Sequence, residues 1–76
     1  MTIKELKQVF ESKGISENMY SLKGGLPNEI YCIEKIDDVW EVYYSERGSK
    51  TGLKVFITED EACQYLLKQV ARMLEI

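Results

Sequence analysis

The sequence predicts an α+β domain: a four-stranded antiparallel sheet with an N-terminal and a C-terminal helix packed on one face, in the order αββββα. Three observations lead there. Residues 3–13 and 58–74 space their apolar side chains every three or four positions, and each stretch opens on a capping-box pattern. Between them, runs of β-branched and aromatic residues alternate with period two. Two of those runs are joined by Asp37-Asp38, a pair with turn chemistry.

The first helix starts at Thr2-Ile3-Lys4-Glu5, where the Thr2 hydroxyl and the Glu5 carboxylate can satisfy the free amides of the first turn. Ile3, Leu6, Val9 and Phe10 form its apolar stripe. Gly14 supplies a left-handed stop and Ile15 folds back as the hydrophobic contact beyond it, so the helix is expected over about Ile3 to Lys13. Tyr20 to Lys23 reads as a brief strand after a short turn at Ser16 to Met19. Gly24-Gly25-Leu26-Pro27-Asn28 breaks regular pairing and reads as a plain turn.

Residues 29–36 and 39–46 form the predicted hairpin. A two-residue loop pairs odd positions of one strand with even positions of the other, so Tyr31 and Ile33 share a face with Trp40, Val42 and Tyr44. That face is the expected core, with Trp40 in it. The opposite face carries Ile30, Cys32, Glu34, Val39, Glu41, Tyr43 and Ser45, too polar to bury and more apolar than a solvated sheet needs. Ser45 through Gly52 reads as a loop and Leu53 to Ile57 as the fourth strand. Its register is open: Leu53, Val55 and Ile57 alternate together, while the larger Phe56 points the other way. Thr58-Glu59-Asp60-Glu61 caps a second helix whose acidic first turn suits the helix dipole. Ala62, Cys63, Leu66, Leu67, Val70, Met73 and Leu74 are its apolar stripe.

With 76 residues the chain fits one domain, residues 1–76. Its net charge of -3 disfavours nucleic acid, which is bound through clustered Lys and Arg. The acidic excess is local: Glu29, Glu34, Asp37, Asp38, Glu41 and Glu46 face Lys35 alone within residues 29–46. No apolar run is long enough for a membrane span, and the start lacks the apolar core of a signal peptide, so a cytoplasmic location is expected. Cys32 and Cys63 have no CxxC or zinc spacing and read as reduced thiols.

Catalytic chemistry is poorly provided for. The chain has no histidine, which removes the commonest general base and metal ligand. Glu34 and Glu41 can face each other across the hairpin, but an exposed sheet face offers no cleft to perturb them. Gly24-Gly25 lacks the remainder of a phosphate loop, and the acidic stretch at Thr58 to Glu61 is accounted for by helix capping. No catalytic, metal or cofactor residues are therefore assigned. What remains is a surface for a protein partner on the outer hairpin face: Tyr43 as anchor, Ile30 and Cys32 beside it, and Glu34, Glu41, Asp37 and Asp38 steering a basic partner. The loop around Arg47 is the alternative location.

Tyr20-Ser21-Leu22, the run Gly24 to Glu29, the run Trp40 to Gly48, and Phe56 followed by Glu59, Glu61, Ala62 and Cys63 resemble small bacterial immunity proteins encoded beside polymorphic toxins. The resemblance spans roughly residues 20 to 67, and Trp40 to Gly48 is its most specific element. It implies a cytoplasmic, non-enzymatic protein that binds a cognate toxin domain and blocks it. A small adaptor or self-associating domain is the other reading of the same surface.

Overall fold

The structure, a computed structural model, describes residues 1–75. Two helices, α1 (Ile3–Ser12) and α2 (Glu59–Leu74), lie on one face of a sheet made of β1 (Tyr20–Ser21), β2 (Ile30–Ile36), β3 (Val39–Glu46) and β4 (Ser49–Phe56), in that spatial order. The fold is α+β as expected.

The first helix start forms the full capping box its sequence signals, and the second keeps only the Thr58 half of it. Thr2 Oγ1 accepts the Glu5 amide at 3.2 Å while Glu5 Oε1 accepts the Thr2 amide at 2.9 Å. At the far end Gly14 sits at φ +72°, with Gly14 N–H donating to the Glu11 carbonyl and Ile15 N–H to the Phe10 carbonyl, the paired bonds of a Schellman stop. Thr58 caps α2 by accepting the Glu61 amide at 3.2 Å. The Glu59 carboxylate at that helix start also accepts the Ile3 amide at 2.8 Å, tying the two helix N-termini together.

The hairpin register is the one its two-residue turn dictates: Tyr31 opposes Tyr44, Ile33 opposes Val42 and Lys35 opposes Trp40. Ile33 and Val42 are fully buried with Leu6, Phe10, Ala62, Cys63, Leu66 and Val70, and Tyr31, Trp40 and Phe56 pack half-buried against that cluster. Trp40 is thus on the helix-covered face, at its margin rather than its centre. Phe56 stands opposite Trp40 across β3–β4, which fixes the open register of the last strand: Phe56 faces the helices.

Three expectations are corrected. The sheet is mixed, because β1 runs parallel to β2, with Tyr20 beside Tyr31 and Ser21 beside Cys32. A parallel neighbour needs a crossover, and residues 22–29 provide it, so Gly24 to Asn28 is a crossover segment and no plain turn. The third correction concerns residues 49–52, which belong to β4. The β3–β4 connection is only Arg47-Gly48, both left-handed at φ +52° and +76°, the backbone of a type I′ hairpin. Between the Val42–Lys54 and Tyr44–Thr51 pairs the register slips by one residue, with Gly52 at φ +63° in the bulge.

Candidate protein-binding surface

Crossover residues 22–29 decide what the outer face can do. Tyr43 is only 1% exposed and Cys32 is fully buried, although both lie on the face away from the helices. Tyr43 carries its hydroxyl to the Gly25 carbonyl at 2.7 Å and to Glu34 Oε1 at 3.0 Å. Ser21 Oγ donates to the Gly24 carbonyl at 3.0 Å, and Gly24, at φ +71°, is buried against the Glu34 side chain. The crossover is therefore bonded down over the proximal half of the face. Burial, followed by the Glu34 hydrogen bond, raises the Tyr43 phenol well above its ordinary range. Burial likewise pushes the Cys32 thiol up to about 11. Neither side chain is available as a contact anchor while the crossover is in place, which corrects the expected role of Tyr43 and of its neighbour Cys32. The sequence signal was present in Gly24-Gly25, which allows a backbone to lie close on a sheet.

Glu34 and Glu41 are cross-strand partners, as expected. They are not a free acidic pair. Lys50 Nζ lies 2.8 Å from Glu41 Oε1 and 3.8 Å from Glu34 Oε1, and sits 4.9 Å from the centre of the Tyr43 ring. The Glu41 hydrogen bond is the largest cause of the raised Lys50 pKa. Lys50 reaches this position because the bulge at Gly52 shifts its parity to the outer face. One of the negative charges assigned to the face is thereby neutralised locally.

Asp37 and Asp38 remain exposed at the β2–β3 turn. Arg47 is exposed at the β3–β4 turn, the opposite end of β3, so the structure does not gather it with the two aspartates. Ile30 is half-buried opposite the buried Ser45. Beside the single exposed Leu26 of the crossover and Met73 of α2, open apolar area gathers at one place: Leu53, Val55 and Ile57 are 42%, 56% and 80% exposed. Val55 pairs with Glu41, one step from the half-buried Ile36–Val39 pair, so the apolar surface continues across three strands at the Asp37-Asp38 end. Sequence reasoning grouped Leu53, Val55 and Ile57 by alternation but did not place them at an interface.

Strand β4 is also an edge of the sheet, and its first seven residues are all exposed. On its helix side a cleft of about 300 Å³ opens between β4 and α2, lined by Tyr31, Tyr44, Tyr65, Gln69, Thr51 and Lys54. Among the described residues, no helix is long and apolar enough to cross a membrane, and no cluster of three or more Cys, Asp or Glu side chains has the arrangement of a metal site. No protein-family model, curated protein or solved structure matches the chain, and its functional reading rests on this geometry and on the residues themselves.

Proposed function

We propose that this protein is a non-enzymatic binding domain that engages a partner through the distal outer face and the β4 strand, and that the partner is a bacterial toxin domain which it neutralises. The observation that carries the binding reading is the exposed apolar pair Leu53 and Val55 on an uncovered edge strand, continued by Ile57 just past its end, because soluble domains seldom leave such a strand open without a use. The toxin reading comes from the resemblance of residues 20 to 67 to immunity proteins. A chain without histidine and with its buried thiols held protonated fits inhibition by occlusion better than catalysis. The net charge of -3 and the open Asp37-Asp38 turn favour a toxin of basic surface, chiefly by raising the association rate. A cytoplasmic setting belongs to the same reading.

The test is co-expression with a toxin domain, sought first in the open reading frame beside this gene. That domain alone should arrest growth, the wild-type protein should restore it, and Val55→Asp should fail to restore it at matched, limiting expression. Full protection by Val55→Asp would move the interface off this surface. The open edge also supports a second reading, self-association or adaptor binding, for which a concentration-dependent dimer in sedimentation velocity is the signature.

A further inference from the structure

We infer that β4 takes its partner by strand addition: an extended segment of the partner becomes the fifth strand of the sheet, its alternate side chains divided between the apolar stripe on one face and the tyrosine-lined cleft on the other. This deepens the binding reading above and rests on it. An edge strand presents N–H and C=O groups on alternate residues with no protein partner, and an incoming strand satisfies them at the ordinary ladder spacing. The bulge at Gly52 divides that edge into two regular segments, residues 49–51 and 53–56, about 10 Å and about 13 Å long at roughly 3.3 Å per residue.

The two faces of β4 differ, and the difference specifies the occupant. On the outer face Leu53 and Val55 would lie beside alternate residues of the added strand, which must be apolar to cover them. On the helix side the added residues enter the cleft between β4 and α2, walled by Tyr31, Tyr44 and Tyr65. Tyrosine in a cleft gives large, rigid, amphipathic contact area and is enriched where partners bind. Lys54 lines this cleft opposite Val42, and among the described residues it forms no ion pair, in contrast to Lys50. A carboxylate on the incoming strand would complete it. A second copy of this chain fits poorly, because the antiparallel self-pairing that matches Leu53 of one copy with Val55 of the other sets the two Lys54 side chains directly opposite each other. The occupant is therefore an extended segment of a different protein, apolar on one face and acidic on the other. Long-range attraction of a basic toxin by the net negative charge is compatible with one carboxylate read locally at Lys54.

The probes are two acetylated, amidated octapeptides, one alternating Val and Glu and one alternating Val and Lys, titrated into the 15N-labelled protein. The Val/Glu peptide should shift β4, Tyr65 and Gln69 amides, slow hydrogen exchange of those β4 amides that point away from β3, and bind about tenfold more tightly than the Val/Lys peptide. Lys54→Glu should reverse that preference, and its own spectrum reports whether it is folded. Shifts confined to β1 or the crossover, an unchanged preference in Lys54→Glu, absence of shifts with either peptide, or a β4-mediated homodimer would each overturn strand addition. The same exchange measurement on the complex with the toxin domain separates the two levels. If the complex forms while the outward β4 amides still exchange freely, strand addition fails and the binding reading stands. If the peptides add to β4 and no toxin binds, the toxin reading fails alone.

Discussion

Gly24 lies against the side chain of Glu34, so closely that a Cβ built on it would stand 2.6 Å from Glu34 Cγ. The contact closes the crossover over the outer face, and Gly24 also needs its left-handed φ of +71°. Gly24→Ala therefore meets both backbone strain and a clash, and should destabilise the fold by about 1–3 kcal/mol. Urea denaturation would show this as a lower midpoint at unchanged slope.

Tyr43→Phe removes the hydroxyl that fastens Gly25 and Glu34 to the sheet. The ring stays buried, so the expected cost is that of the polar contact, about 1–2 kcal/mol. Crossover amides of residues 22–29 should exchange faster in the variant while the α2 amides keep their protection.

Lys50→Ala leaves the cross-strand pair Glu34 and Glu41 without the cation beside them. The loss should stay below about 1 kcal/mol, because the lysine is partly solvated, and it should grow as salt is lowered. Adding Glu41→Gln to the variant should recover much of the loss in the same denaturation assay, since the repulsion then disappears.

Burial pushes both Cys32 and Cys63 thiols up to about 11, against an ordinary value of 9.0. A folded pKa above the unfolded one means that the unfolded chain loses its proton first. The stability tied to both thiols is complete below about pH 9 and is lost as pH rises toward 11. The raised Tyr43 phenol adds a loss of the same sign above its ordinary 10.0. Urea midpoints measured from about pH 8 upward should fall, and Cys32→Ala with Cys63→Ala should flatten the part of that fall below pH 10. Both cysteines are free, so Ellman's reagent should react slowly with the native protein and find both thiols after unfolding.

Trp40→Ala should cost about 2–3 kcal/mol, less than the roughly 3–5 typical of a fully buried aromatic, because Trp40 is half-buried between Phe56 and Lys35. Wild-type stability in the variant would remove Trp40 from the sheet's inner face.

The parts of this fold that were legible are those in which local chemistry and global packing agree. Thr2 and Glu5, Gly14 and Ile15, and the pair Asp37-Asp38 each act over a few residues, and the last of these dictates the β2–β3 register through parity alone. The failures come from contacts between distant segments. Tyr43 looked like a surface anchor because alternation assigns a face and does not say what lies over that face; the cover is the crossover, folded back from residues 22–29. Lys50 reads from sequence as part of the Ser45 to Gly52 loop because nothing in a strand's composition announces a one-residue slip. Arg47-Gly48 was a legible turn, since glycine accommodates the left-handed second position of a type I′ hairpin, and reading it would have extended β4 back to Ser49.

The bulge at Gly52 divides β4 into two phases. From Leu53 onward the strand counts one way, with Phe56 inward and Val55 outward; before Gly52 it counts the other way, with Lys50 outward above Tyr43. Loss of a single codon at this position would remove the bulge and keep every other pairing: Leu53 alone would oppose Tyr43, Thr51 would still oppose Tyr44, and Lys50 would still point outward beside Ser45. The length of β4 can thus change by one residue at Gly52 without altering which side chains the outer face displays, so that face is rewritten by substitution and not by slippage.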